Sequence, residues 1–174
     1  VGTAITDGSH DVMLVSTSGK TIRFKEGDVR PMGRTARGVR GIKMGDEYRM
    51  IALIIPQDNK QILTVSENGY GKRTKVEDFP VYGRGGQGVI GIQTNDRNGG
   101  VVGAVQVSDA DEIMLISDKG TLVRTRVKEV SVQGRNTMGV RLIRLKEGEK
   151  LVGLEQVDEP PGEESDLTSS EEIK

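Results

Sequence analysis

The 174-residue chain has no cysteine and no tryptophan, two phenylalanines, three tyrosines and one histidine. Without cysteine there is no disulfide framework, no thiolate nucleophile and no cysteine-ligated zinc. The lack is compatible with a reducing cytoplasm. With only His10, in the polar turn Asp7-Gly8-Ser9-His10-Asp11, neither a histidine-based triad nor a multi-histidine metal site is expected. Apolar runs stay short of about 18 residues, so no membrane-spanning helix is expected. No charged-then-apolar leader stands at Val1, which lacks an initiator methionine and reads as an internal point of a longer protein. Sustained helical periodicity is missing too. With so few rings, the core falls to Val, Ile, Leu and Met.

Glycine is plentiful, at 24 residues, and the aliphatic runs are short and many. That combination suits sheets and turns. The charge is uneven. Of 25 basic and 26 acidic residues, seven acids and one base fall in 158–174, which leaves 24 and 19 in residues 1–157, a net +5. A basic body with an acidic tail suits a protein that meets a polyanion. The tail, with Glu159-Pro160-Pro161-Gly162-Glu163-Glu164, is expected to be disordered.

A repeat of about fifty residues runs through the body. Val12-Met13-Leu14-Val15-Ser16, Ile62-Leu63-Thr64-Val65-Ser66 and Ile113-Met114-Leu115-Ile116-Ser117 are followed by Gly19, Gly69 and Gly120, 50 and 51 residues apart. These runs read as strands buried on both faces, each followed by a tight hairpin. Thr21-Ile22-Arg23-Phe24 alternates like a half-exposed strand. Residues 39–44, 89–94 and 140–145 read as further strands. About four strands in about fifty residues make a propeller blade. The expected organisation is all-β, with propeller-like repeats at about 11–60, 61–111 and 112–157. Residues 1–10 are expected to be the closing strand of a preceding blade, and 158–174 the tail.

A glycine-arginine block recurs between strands: Gly33-Arg34-Thr35-Ala36-Arg37-Gly38, Gly83-Arg84-Gly85-Gly86-Gln87-Gly88 and Gly134-Arg135-Asn136-Thr137-Met138-Gly139. The middle one fits G-x-G-x-x-G, but a strand follows where a dinucleotide site needs a helix. Ser18-Gly19-Lys20-Thr21 lacks the earlier glycine of a P-loop. Asp109, Asp111 and Glu112 read as a solvated turn. No catalytic constellation, cofactor site or metal site is expected in these residues. Arg34, Arg84 and Arg135 would stand at one rim of successive blades. Arg23, Arg30, Arg37, Arg40, Lys43, Lys72, Arg73, Lys75, Arg124, Arg126, Arg141 and Arg144 accompany them. Such a row can track a phosphate backbone, with guanidinium groups giving bidentate contacts. Alternatively the arginines tie loop carbonyls between blades in a scaffold that binds protein. A recognition helix and stacking aromatics are both missing, so a nucleic-acid partner would be duplex, held by backbone and shape.

The strings Asp11-Val12-Met13-Leu14, Ile22-Arg23-Phe24-Lys25-Glu26, Gly38-Val39-Arg40-Gly41-Ile42, Asn68-Gly69-Tyr70-Gly71-Lys72-Arg73-Thr74 and Gly120-Thr121-Leu122-Val123-Arg124-Thr125-Arg126 resemble the C-terminal domain of the bacterial DNA gyrase A subunit. The resemblance covers residues 1–157. It implies a β-pinwheel whose blades exchange a strand and whose basic edge wraps duplex DNA for ATP-driven negative supercoiling. It also implies partners, the remaining domains of the gyrase A subunit with the gyrase B subunit in an A2B2 assembly, in the bacterial cytoplasm at the nucleoid. The catalytic tyrosine, the magnesium site and the ATP site would lie elsewhere in that enzyme. About three blades are present of the family's usual six, and the intact box Gln-Arg-Arg-Gly-Gly-(Lys/Arg)-Gly is absent. The equivalent domain of topoisomerase IV is the neighbouring alternative.

Overall fold

The apolar run that opens each repeat becomes a central strand in the computed structural model, which describes residues 2–158. In the first blade β1 (Asp11–Ser16) turns into β2 (Lys20–Lys25), and β3 (Met50–Ile54) returns along the other side of β1. The second blade repeats this with β4 (Gln61–Ser66), β5 (Tyr70–Lys75) and, after the short β6 (Val89–Ile90), β7 (Val101–Val107). The third has β8 (Glu112–Ser117), β9 (Leu122–Arg126), the short β10 (Val140–Arg141) and β11 (Leu151–Val157). The hairpin turns share one chemistry. Gly19, Gly69 and Gly120 sit at φ 83°, 84° and 82°, and each N–H closes onto the serine carbonyl three residues earlier. A left-handed residue at the end of a three-residue loop favours glycine.

The short strands belong to the sheet of the preceding blade. β6 pairs with β2 and β10 with β5, giving the orders β3-β1-β2-β6, β7-β4-β5-β10 and β11-β8-β9. Each exchanged segment also touches its host upstream. The Tyr82 N–H donates to the Arg23 carbonyl and the Gln133 N–H to the Arg73 carbonyl, both at 2.8 Å. The glycine-arginine block is therefore a loop stitched at both ends to the blade before it. β7 packs against β3 and β11, which sets these three edges at the hub. The exchanged strands and their loops then lie at the outer rim.

The core sits between blades. Met13, Val15 and Ile54 of the first blade close on Ile62, Val76, Phe79 and Ala104 of the second. Leu63, Val65 and Val107 of the second close on Ile113, Leu115, Val127 and Leu154 of the third. Burial of such aliphatic side chains stabilises by roughly 1.5–3 kcal/mol each. A third, smaller cluster, Leu14, Ile22, Phe24 and Ile42, lies within the first blade itself.

Several local expectations change. Residues 39–44 form no strand, because no edge equivalent to those of β2 and β5 lies beside them among the described residues. Ile42 is still buried, against Leu14, Ile22 and Phe24. The strands expected at 89–94 and 140–145 shrink to two residues each. Thr21, Ile22 and Phe24 are all buried, so β2 is covered on both faces rather than half-exposed. The alternating pattern appears instead in β9, at the open outer edge of the third sheet, where Leu122 is 63% exposed. Residues 2–10 form no strand. The equivalent strands β3, β7 and β11 each pair with the opening strand of their own repeat, β1, β4 and β8. The expected tail lies outside the described residues beyond Asp158. No helix among the described residues is long and apolar enough to cross a membrane.

The stitching gives a stability test. Gly88 (φ 71°) and Gly139 (φ 79°) lie against the carbonyls of Thr21 and Gly71, where an added Cβ would collide, whereas Gly38 (φ 80°) faces open space. Gly38→Ala is expected to cost about 1–2 kcal/mol, the left-handed backbone penalty alone. Gly88→Ala and Gly139→Ala should cost more, because the host strand must also move. Equal losses for all three in chemical denaturation would contradict the close docking.

Candidate nucleic-acid interface

Cations lie at three depths. Arg23 and Arg73 occupy the same position of β2 and β5 and point inward. The Arg23 side chain is 14% exposed, and its Nε donates to Asp11 at 2.8 Å. Its Nη1 donates to the carbonyls of Val76 (3.0 Å) and Phe79 (3.3 Å) in the second blade. Arg73 repeats the pattern one blade on. Its Nε donates to the Val130 carbonyl at 2.7 Å, and its Nη1 donates to Gln61 at 2.9 Å and pairs with Asp109. Each therefore clips its own hairpin to the next blade's 3₁₀ turn. Asp109 is part of that clip while staying in a solvated turn, its side chain 73% exposed. In the third blade Arg124 pairs with Glu112, which Arg126 approaches at 3.8 Å.

Lys72 is fully buried. Its ammonium donates to the carbonyls of Gly134 and Arg135, both at 2.6 Å, and to the Thr137 hydroxyl at 3.1 Å. Three donors thus meet three acceptors, and the loop around Arg135 is braced from below. Burial, aided by the Arg135 charge, brings its pKa from the ordinary 10.5 to about 8.

Arg84 and Arg135 are half-buried in their loops. Arg84 donates through Nη1 to the Arg40 carbonyl (2.5 Å) and through Nε to the Asp28 carbonyl (3.2 Å). Arg135 donates through Nη1 to the Ile90 carbonyl at 3.1 Å. These two tie loop carbonyls between blades while leaving guanidinium N–H groups over for a further partner. Arg30, Arg34, Arg37, Arg40, Lys43, Lys75, Arg124, Arg126, Arg141 and Arg144 are exposed. Arg30, Arg34, Arg37, Arg40 and Lys43 join no ion pair among the described residues, and they crowd a single loop-rich stretch.

Sequence reasoning passed over Arg97, in the polar turn Asn95-Asp96-Arg97-Asn98. Its Nε donates to the Tyr70 hydroxyl at 3.1 Å, and Arg141 Nη2 donates to the same oxygen at 2.9 Å. Nothing in the sequence joins these residues, which meet because β10 pairs with β5 and because Asn68 of the hairpin turn holds the loop around Arg97. His10 does not stand free in its turn. Its Nδ1 lies 2.9 Å from Asp7 and 3.6 Å from Glu26. The three residues bring ligand-type atoms within 4.8 Å of one another. The Ser9 N–H and hydroxyl already bond Asp7, and the His10 N–H bonds Glu26.

The three blades coincide with three matches to one family model, the DNA gyrase C-terminal domain, beta-propeller, at residues 10–57, 60–108 and 111–158. The chain belongs to the DNA gyrase C-terminal domain family. It is 58% identical over 173 residues to the DNA gyrase A subunit of Pseudomonas aeruginosa, covering 99% of this chain and 19% of that protein. It is 57% identical over 164 residues to the DNA gyrase A subunit of Salmonella typhimurium, covering 94% and 19%. It thus spans about a fifth of the length of these relatives. A solved DNA gyrase A C-terminal domain superposes with a TM-score of 0.79 at 31% identity, over 87% of this chain and 52% of that one. The C-terminal domain of DNA topoisomerase IV superposes at 0.81 with 22% identity, over 88% and 48%, which is a likeness of fold.

Two buried groups of this gyrase-type domain carry the largest shifts in its pH response. Lys72→Met should remove the donor to the Arg135 carbonyl and one of the two donors to the Gly134 carbonyl, at about 1–3 kcal/mol for a group left unsatisfied. Because Lys72 binds its proton more weakly when folded, it makes stability rise with pH between about 8 and 10.5. That rise should be missing from the melting profile of the variant. Glu149 accepts hydrogen bonds from Ser117 (2.5 Å), Thr121 (2.6 Å) and the Lys146 N–H (3.0 Å). These hold its pKa at about 2 rather than 4.5. Its stabilisation is present above pH 4.5 and lost as the pH falls towards 2. Glu149→Gln should make the acid limb of the stability curve shallower, with Asp7, Asp11 and Glu26 supplying the rest, and an unchanged limb would count against this assignment.

Proposed function

We propose that these blades hold duplex DNA along the outer rim as the DNA-wrapping part of a DNA gyrase A subunit. The observation that carries the reading is the exposed stretch of Arg30, Arg34, Arg37, Arg40 and Lys43, free of carboxylate partners among the described residues, in a chain of this family. Each phosphate held there releases condensed counterions. Smooth bending of 20–30 base pairs costs roughly 1–6 kcal/mol, which several such interactions on successive blades offset. Glycine-rich loops let backbone approach the DNA closely. The blades supply curvature and charge. Strand cleavage and ATP hydrolysis belong to the remaining domains of the gyrase A subunit together with the gyrase B subunit, in a type II topoisomerase that introduces negative supercoils. The assembly works in the bacterial cytoplasm, at the nucleoid. Identities of 57–58% with gyrase relatives favour this reading over topoisomerase IV.

A second reading applies to particular residues. Arg23, Arg73 and Lys72 donate to carbonyls of the next blade, which supports a scaffold role for them. Arg84 and Arg135 serve both purposes.

The test is duplex affinity across a salt series, with one short duplex and one of several helical turns. Affinity should rise with length and fall steeply with salt. Replacing Arg34, Arg37 and Arg40 together by Gln should lower the slope of log K against log salt by about 0.9 for each phosphate no longer held. The melting temperature should scarcely move. Arg23→Gln should do the reverse. Weak binding that ignores duplex length and survives the triple substitution would refute a DNA track on this rim.

A further inference from the structure

The junction between the second and third blades differs from the one before it. At the rim end of the first junction, Lys20 faces Ile90 across the exchanged strand. At the second, Tyr70 faces Arg141. Arg97 comes to the same tyrosine from the loop before β7. Its guanidinium carbon lies 5.6 Å from the Tyr70 ring centroid, and that of Arg141 lies 5.4 Å away. Both arginines also donate to the Tyr70 oxygen. The tyrosine is buried, so one phenol anchors two guanidinium groups by ring face and oxygen together.

The three side chains wall a cleft of about 380 Å³ that Arg144, Lys146 and Lys150 also line. Its one carboxylate, Glu149, is saturated by Ser117, Thr121 and the Lys146 N–H. Among the described residues no carboxylate forms an ion pair with Arg97, Arg141, Arg144, Lys146 or Lys150. Like charges gathered this closely repel one another unless an anion sits between them. The unused N–H groups of the two arginines and the O–H proton of Tyr70 supply donors for it. Hydrogen bonds from Arg141 and then Arg97 already hold the Tyr70 hydroxyl below its ordinary pKa, as suits a phenol in a cationic site.

We infer that this cleft is a discrete phosphate site, with Arg97 and Arg141 as its ligands and Tyr70 as the residue that positions them. The occupant is a phosphodiester group of duplex DNA. That identity rests on the function proposed above, whereas the preference for a phosphate does not. The site would fix the register of the duplex at one blade junction, where the other rim cations act as an even track.

The experiment follows the Arg97 and Arg141 Nε–H and Tyr70 ring resonances of the full chain by NMR. Inorganic phosphate is added in one arm and a duplex of several helical turns in the other. Saturable shifts of all three residues are expected in both arms. Replacing Arg97 and Arg141 together by Gln should lower duplex affinity at least about fivefold at about 0.1 M salt and the salt slope by about one. If neither phosphate nor duplex moves these resonances, the site is overturned, and that wild-type result stands even if the double variant fails to fold. Duplex binding with an unchanged slope in a folded double variant overturns the site and leaves the rim proposal intact. Saturation by phosphate in a chain that does not bind duplex upholds the phosphate site and removes the DNA reading.

Discussion

A hairpin such as β1–β2 has two edges, and its own repeat covers one. The other edge of β2 carries N–H and C=O groups that need partners, and the next repeat provides them through Tyr82, β6 and the turn around Gly91. The same holds for β5 and the segment from Gln133 to Leu142. Buried backbone groups left unpaired are costly, so this mutual need between neighbours fixes the structure. It determines where the glycine-arginine loops lie and why the cores form between blades. Among the described residues no exchanged strand pairs with β9, the outermost strand of the third sheet.

The same dependence sorts the cations. A basic residue on β2 or β5 is roofed by the next blade, so Arg23 and Arg73 become clips and Lys72 a brace. A basic residue on the exchanged loop stays at the rim. Residue type does not decide between clip and track; depth in the neighbour's shadow does. Arg84 and Arg135 stand at the boundary, with one side of the guanidinium on a carbonyl of the preceding blade and the other side outward.

Much of this was legible in the residues. The spacing of Gly19, Gly69 and Gly120 set the repeat, and the apolar runs before them located the central strands. The rim position of the glycine-arginine blocks followed from their place between strands. The exchanged strands were harder to see, because two residues carry too little periodicity to reveal a partner in another repeat. The inward turn of Arg23 had a faint signal in Asp11, its ion-pair partner on the facing strand twelve residues earlier. The meeting of Tyr70 with Arg97 and Arg141 had none. It joins residues 27 and 71 positions apart, through a pairing that only the folded disc creates.

The loops bearing Arg84 and Arg135 are anchored at both ends to the blade behind them. A pull on either guanidinium is therefore resisted by two sheets at once. Tension from a stiff, curved polymer would spread along the chain of blades instead of peeling one away. The row of blades behaves mechanically like overlapping roof tiles, each nailed through the edge of the last.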